Sequence, residues 1–333
     1  MATGVIIAVI ALGGLGFLAS IGLSLASRFF GVKVDPRVTK VREVLPGANC
    51  GACGFAGCDA FAKAVVEGKA DVAGCVVGGP SVAEKIGEIL GKKAEAKERM
   101  VARVRCQGTV DKSPYRFDYY GVESCKSSLV ISEGRKACTY GCEGFGDCVA
   151  ACMFDAIHMG EGGVPVVDED KCTACGKCVA ACPKNIIILE PVSSRVTVRC
   201  SSHDIGKVVR RLCTIGCIAC GLCAKRCPSQ AITLVDNLPV WDYEKCINCG
   251  ICAYVCPTKA IKDDRKEIPK AFISDACTGC GECVKVCPVK NCITGEQGKP
   301  HKINEETCIG CGLCVDVCPV KAIELKKPVS VEA

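Results

Sequence analysis

One spacing recurs along this chain and leaves it few ways to fold. Five segments share C-x-x-C-x-x-C-x-x-x-C-P: CTACGKCVAACP from residue 172, CIACGLCAKRCP from 217, CINCGICAYVCP from 246, CTGCGECVKVCP from 277 and CIGCGLCVDVCP from 308. Three thiols at intervals of three residues wrap one loop around a common centre, which leaves the fourth for a neighbouring centre. A glycine after the second cysteine (Gly176, Gly221, Gly250, Gly281, Gly312) permits tight backbone approach or a positive φ. The proline after the fourth cysteine suits the first turn of a helix, whose positive end would face an anionic group.

Cysteine occupies 33 of 333 positions, a density that secreted disulfide scaffolds and metal-cluster proteins tolerate. The spacing separates the two classes. It resembles the run of the bacterial ferredoxins, in which three cysteines hold one [4Fe-4S] cluster and the fourth holds the next. Zinc sites use two C-x-x-C pairs or mixed cysteine and histidine ligands. Here only three histidines are present, and the triple spacing exceeds zinc's need.

A sixth copy, CTYGCEGFGDCVAAC over 138–152, is degenerate. Cys142, Gly146, Cys148 and Cys152 fall in register, Phe145 stands where the second cysteine belongs, and Met153 replaces the proline. Cys138 offers a substitute thiol. Six copies predict three cross-ligated pairs. In the first, Cys138, Cys142, Cys148 and Cys182 face Cys152, Cys172, Cys175 and Cys178. In the second, Cys217, Cys220, Cys223 and Cys256 face Cys227, Cys246, Cys249 and Cys252. In the third, Cys277, Cys280, Cys283 and Cys318 face Cys287, Cys308, Cys311 and Cys314.

Upstream, LPGANCGACGFAGC places Cys50, Cys53 and Cys58 among small residues, with Cys75 following. These four thiols predict one further cluster, and DAFAKAVVEGKA predicts a short amphipathic helix leading to Cys75. Residues 2–27 carry no charge. As a helix they would extend about 39 Å, enough to cross a hydrocarbon core of about 30 Å. Arg28 and Lys33 follow that run, which argues against a signal peptide and predicts that the rest of the chain faces the cytoplasm. The expected fold is α+β: an N-terminal transmembrane helix, a small single-cluster iron-sulfur domain, then tandem bacterial-ferredoxin-like modules. The expected boundaries are an anchor over 1–33, the single-cluster domain over 34–82, a linker helix over 83–105, and ferredoxin pairs over 106–190, 191–262 and 263–333.

The formal charge of +6 would suit nucleic acid or anionic lipid. Each oxidised cubane with four thiolates carries about −2, so seven sites contribute about −14 and outweigh it. The lysines are therefore read as compensation for bound clusters, and no nucleic-acid partner is expected.

The uncharged N-terminal run, LPGANCGACGFAGC with Cys75 downstream, and KACTYGCEGFGDCVAACMFDAI followed by KCTACGKCVAACP together resemble the B subunit of the Rnf complex, over essentially the whole chain. Shorter members of that family end after the first ferredoxin pair, whereas this chain continues with two more. The resemblance implies an electron-transfer subunit of a membrane-bound, ion-pumping ferredoxin:NAD oxidoreductase, a translocase. It would accept electrons from soluble reduced ferredoxin and relay them to membrane and flavin-bearing partner subunits. It implies a single-pass protein of the cell membrane with no catalytic residues of its own. A membrane-tethered polyferredoxin serving another redox enzyme, such as a hydrogenase, is the alternative. The module at Cys50 argues against it.

Cys106, Cys125, Cys200, Cys213 and Cys292 are left over. Two lie in matching VRC contexts, at Cys106 and Cys200, which read as short strands, and CTIGC at 213–217 echoes CTYGC at 138–142. The spare thiols Cys106, Cys125, Cys200 and Cys213 suggest an eighth [4Fe-4S] cluster beside the seven, with buried unliganded cysteine as the plainer reading. Cys292 is read as packing.

Overall fold

The computed structural model describes residues 2–30, 35–93 and 98–330. The chain divides into two units, Met1–Cys75 with Ser81–Glu95, and Val76–Pro80 with Ala96–Ala333.

In the first unit, α1 (Ala2–Phe30) is the uncharged run wound into one helix. Its Ile10, Leu12, Leu15, Phe17, Leu18 and Leu23 are exposed. Met1 and residues 31–33 of the expected anchor lie outside the described residues, as do the side chains at 2–9, 11 and 27–30. Among the described residues no helix is long and apolar enough to cross a membrane. Helix α2 (Pro36–Val44) opens on Asp35, whose carboxylate accepts the Arg37 N–H at 2.8 Å, with proline at the first helical position, where no donor is needed. Helix α3 (Cys58–Val66) is the amphipathic segment anticipated from DAFAKAVV, and α4 (Gly79–Leu90) follows. Val41 of α2, Phe61, Ala62 and Val65 of α3, Val72 and Ile86 of α4 form one small apolar core.

The second unit repeats a single plan. The first module holds β1 (Met100–Val104), α5 (Cys125–Ser128), α6 (Asp147–Ala150), β2 (Ile157–Met159), β3 (Pro165–Val167), α7 (Lys177–Ala181) and β4 (Ile187–Pro191). Outer strands β1 and β4 pair antiparallel, with Val104 opposite Ile187, while β2 and β3 form an inner hairpin. The second module comprises β5 (Val196–Val198), α8 (Gly206–Leu212), α9 (Leu222–Lys225), β6 (Ile232–Val235), β7 (Leu238–Trp241), α10 (Ile251–Tyr254) and β8 (Ile261–Asp263). Again the outer strands β5 and β8 pair around the hairpin β6–β7. Asp236 and Asn237 form that hairpin's two-residue loop at φ 46° and 64°, the left-handed pair that matches strand twist. The third module follows suit with β9 (Glu267–Ile273), α11 (Glu282–Val286), β10 (Ile293–Thr294), β11 (Lys302–Ile303), α12 (Leu313–Asp316) and β12 (Ile323–Ser330). There β9 pairs with β12 and β10 with β11.

The linker helix expected over 83–105 is corrected. Helix α4 stops at Leu90, before Gly91 at φ 65°, and Met100–Val104 is the first strand of the first module. Val101 to Val104 are all buried against β4, so tertiary pairing overrides the helical spacing of the preceding charged run.

A buried charge network joins the first two modules. Arg103 of β1, 4% exposed, lies 3.6 Å from Glu190 of β4 and 3.9 Å from Asp264, and also pairs with Glu169. Arg195 pairs with the same Glu169, and Arg199 with Asp264 at 2.5 Å. The Tyr243 hydroxyl donates to Glu190 at 2.8 Å, and burial followed by that carboxylate raises its pKa, which keeps the proton in place.

Candidate metal centres

Each cysteine run is shaped by left-handed backbone. The glycine after the second cysteine, and Gly146 in the degenerate copy, has φ between 71° and 80° and starts a helix of four or five residues that carries the third cysteine. This matches the positive φ expected there. The residue before the second cysteine is also left-handed, at φ 52° to 69°, in Ala174, Ala219, Asn248, Gly279 and Gly310. Two such reversals within four residues curl the loop so that its thiols share one side. The helix expected after the proline is corrected: α7 ends at Ala181, so Pro183 follows the helix, where its missing N–H helps stop it.

Four cavities in the second unit are lined by four thiols each. One of about 350 Å3 is lined by Cys152, Cys172, Cys175 and Cys178, and one of about 370 Å3 by Cys217, Cys220, Cys223 and Cys256, both as read from the repeat. The third, of about 380 Å3, differs: Cys125 joins Cys142, Cys148 and Cys182, and Cys138 is not on its wall. Asp147 holds Cys125 there, accepting its N–H at 3.1 Å and the Ser124 hydroxyl at 2.9 Å. Cys138 lies instead with Cys106, Cys200 and Cys213 around a fourth cavity of about 450 Å3.

Burial raises the pKa values of Cys246, Cys249 and Cys252; Cys227 adds to the first, Cys227 and Cys246 to the second, and Cys249 and Cys246 to the third. In the third module burial, then Cys311, Cys308 and Cys287, push Cys314 up to about 12. Cys283 is raised by burial, then by Cys277 and Cys280, and Cys318 packs in the same apolar cluster as Cys283. Cys292, 2% exposed, is packed in that cluster and donates to the Asn304 carbonyl at 3.7 Å. In the first unit the Asn49 side chain accepts the Cys58 N–H at 2.9 Å, while Cys53, Cys58 and Cys75 pack against the apolar core.

These sites fit [4Fe-4S] clusters. All the cysteines are outside disulfides. Among the described residues no group of three or more His, Cys, Asp or Glu side chains converges on a single-ion position. Burial first, then neighbouring thiols, pushes Cys178 up to about 11 and Cys148 to about 12. Such thiols give up protons only to a strong cation, so binding and deprotonation are one event. Backbone N–H groups already address the sulfurs: Ala156 to Cys152 at 3.4 Å, Ala231 to Cys227 at 3.3 Å and Ala322 to Cys318 at 3.2 Å. The Thr173 hydroxyl is buried on the wall of the 350 Å3 cavity without a protein partner.

Family models match in the same places. The FeS model covers residues 45–77, 4Fe-4S dicluster domain models cover 216–260 and 239–295, and the 4Fe-4S binding domain model covers 165–188 and 301–324. The chain is 49% identical over 245 residues, 74% of each chain, to the B subunit of the Na(+)-translocating ferredoxin:NAD(+) oxidoreductase complex of Acetobacterium woodii. It is 47% identical to the B subunit of the ion-translocating oxidoreductase complex of Methanosarcina acetivorans, over 70% of this chain and 89% of that one. It is 43% identical to the B subunit of the proton-translocating ferredoxin:NAD(+) oxidoreductase complex of Clostridium ljungdahlii, over 68% of this chain and 81% of that one. With 43–49% identity over 68–74% of its length to these relatives, the chain belongs to the family of B subunits of the ion-translocating ferredoxin:NAD oxidoreductase complexes, the Rnf family.

Proposed function

We propose that this chain is the electron-relaying subunit of a membrane-bound complex that oxidises reduced ferredoxin, reduces NAD and moves ions. Partner subunits supply the flavins, the NAD site and the ion path. The observation that carries this reading is the succession of four-thiol cavities in a chain of this family. A bound [4Fe-4S] cluster supplies reversible one-electron transfer without bond-making on carbon.

The ligand sets we assign are Cys50, Cys53, Cys58 and Cys75 in the first unit, then two sets in each module. The first module uses Cys125, Cys142, Cys148 and Cys182, and Cys152, Cys172, Cys175 and Cys178. The second and third modules use the sets read from the repeat. The N–H groups of Ala156, Ala231 and Ala322 favour the more negative state at their sulfurs, and burial opposes it, so the two set the potentials. Arg265 lies beside Cys249 and donates to the Ile309 carbonyl at 3.1 Å, and Cys249 is among the neighbours that raise Cys311. The second and third modules thus adjoin at these loops.

Cys220 of the second module and Cys280 of the third are exposed, which suits these two modules to meet ferredoxin. Deleting residues 265–333 should lower the rate of ferredoxin oxidation by anaerobic membranes while leaving the chain in the membrane fraction. An unchanged rate would remove the third module as an entry point. The uncharged run of α1 is assigned as a single-pass anchor with Arg28 and Lys33 on the cytoplasmic side. Deleting residues 2–30 should release the protein from carbonate-washed membranes, and retention would count against the anchor. For the relay itself, the decisive measurement is iron and acid-labile sulfide in the anaerobically purified chain, and a folded, iron-free protein would end the reading.

A further inference from the structure

We propose that Cys106, Cys138, Cys200 and Cys213 bind an additional [4Fe-4S] cluster that stands between the first and second ferredoxin pairs. The proposal rests on the iron-sulfur reading above, and no family model covers these four residues. Their cavity, about 450 Å3, is comparable with the 350–380 Å3 of the three ferredoxin-type cavities. A Cβ at Gly108 would lie 3.6 Å from the Cys106 sulfur and 3.7 Å from the Cys213 sulfur, so a residue without a side chain sits against both thiols.

The site is built twice over. Cys106 and Cys200 follow the first strand of their modules in matching VRC segments, and Cys138 and Cys213 open the matching CTYGC and CTIGC segments. Each module therefore gives two thiols from equivalent positions. The hydrogen bonds repeat as well: the Cys142 N–H donates to the Cys106 sulfur at 3.4 Å, and the Cys217 N–H donates to the Cys200 sulfur at 3.3 Å. Cys142 belongs to the first pair's cavity and Cys217 to the second's, so the new site touches both.

Two buried polar groups stand on the wall. Lys136, 1% exposed, and the Ser113 hydroxyl, buried without a protein partner, both line the cavity. The Lys136 Nζ also lies 5.2 Å from the centroid of the Tyr115 ring. On loading an oxidised cubane, four thiol protons leave to water and four cysteine–iron bonds form. No oxidation state changes, and the loaded site carries a net charge of about −2.

Iron and acid-labile sulfide in the anaerobically purified full chain should reach about 32 of each with eight clusters, against about 28 with seven. A wild-type value of about 28 overturns the proposal without recourse to any variant, and a chain without iron would instead overturn the relay reading. Cys200→Ala should lose about four irons and four sulfides, and Cys138→Ala/Cys200→Ala no more than that, because both residues serve one site. Cys125→Ala/Cys200→Ala should lose about eight, because those residues serve two. The reverse pattern would restore Cys125 to this site and exclude Cys138. One zinc in place of the fourth cavity's iron and sulfide would also overturn it.

Discussion

The first and second ferredoxin modules share a strand plan and differ in how a cluster's ligands are gathered. In the second, the thiols come from regular runs: Gly221 and Gly250 turn the loops, and Cys217, Cys220, Cys223 and Cys256 line one cavity. In the first, Phe145 displaces a cysteine, its ring lies 4.0 Å under the Arg135 guanidinium, and the missing thiol arrives from α5. A thiol from a regular run is thus one way to complete a four-thiol wall, and a thiol delivered by a separate helix is another. What the cavity requires is four sulfurs at its wall, whatever the path of the chain between them.

The comparison breaks most readily at the ligands. Cys125→Ala and Cys223→Ala should each cost about four irons and four sulfides by anaerobic analysis. If only Cys223→Ala does so, the irregular module does not use its helix-borne thiol. The next largest effect belongs to the network between the modules. Arg103→Ala leaves Glu190, 0% exposed, without its cation, and should destabilise by about 3–5 kcal/mol. A lowered urea midpoint with both modules melting together would check it, whereas an unchanged midpoint would mean that the network is dispensable.

Smaller effects separate backbone from packing. Alanine at the left-handed φ of Gly176 or Gly250 costs about 1–2 kcal/mol. At Gly176 nothing lies within 4 Å of the added Cβ, whereas at Gly250 it meets the Arg265 guanidinium and Asp263. Gly250→Ala should therefore lower the urea midpoint more than Gly176→Ala, and equal shifts would mean that Arg265 moves freely aside. Least of all should follow from Asp155→Asn. Asp155 has φ 48°, which asparagine tolerates, and its exposed pair with Lys171 at 3.4 Å is worth under about 1 kcal/mol. A marked loss of stability there would give this surface pair an unforeseen role in the first module.

Much of the metal architecture was legible in the order of the residues. The repeat spacing pairs thiols across each module because cysteines separated by only two residues serve the loop they share, and the glycines mark where that loop must turn. Less legible was the strand character of Met100–Val104, which depends on β4 lying opposite it some ninety residues later. The exchange of Cys125 and Cys138 was hidden for the same reason, although the echo between CTYGC and CTIGC carries the signal: it makes Cys138 the counterpart of Cys213, and leaves Cys125 for the cavity of its own module.

By itself, then, the order of amino acids determined that neighbouring cysteine runs share cavities, three thiols from one run and one from the next, since thiols within a few residues of one another are held together by the chain's own reach. Only the tertiary structure decided which of the isolated thiols meet. Cys106, Cys138, Cys200 and Cys213 belong to four separate segments, and they share a wall because β1–β4 and β5–β8 are packed together around Arg103, Glu169 and Asp264. The matching VRC and CTYGC/CTIGC segments mark these residues as counterparts, and the packing of the two modules brings the four to one wall.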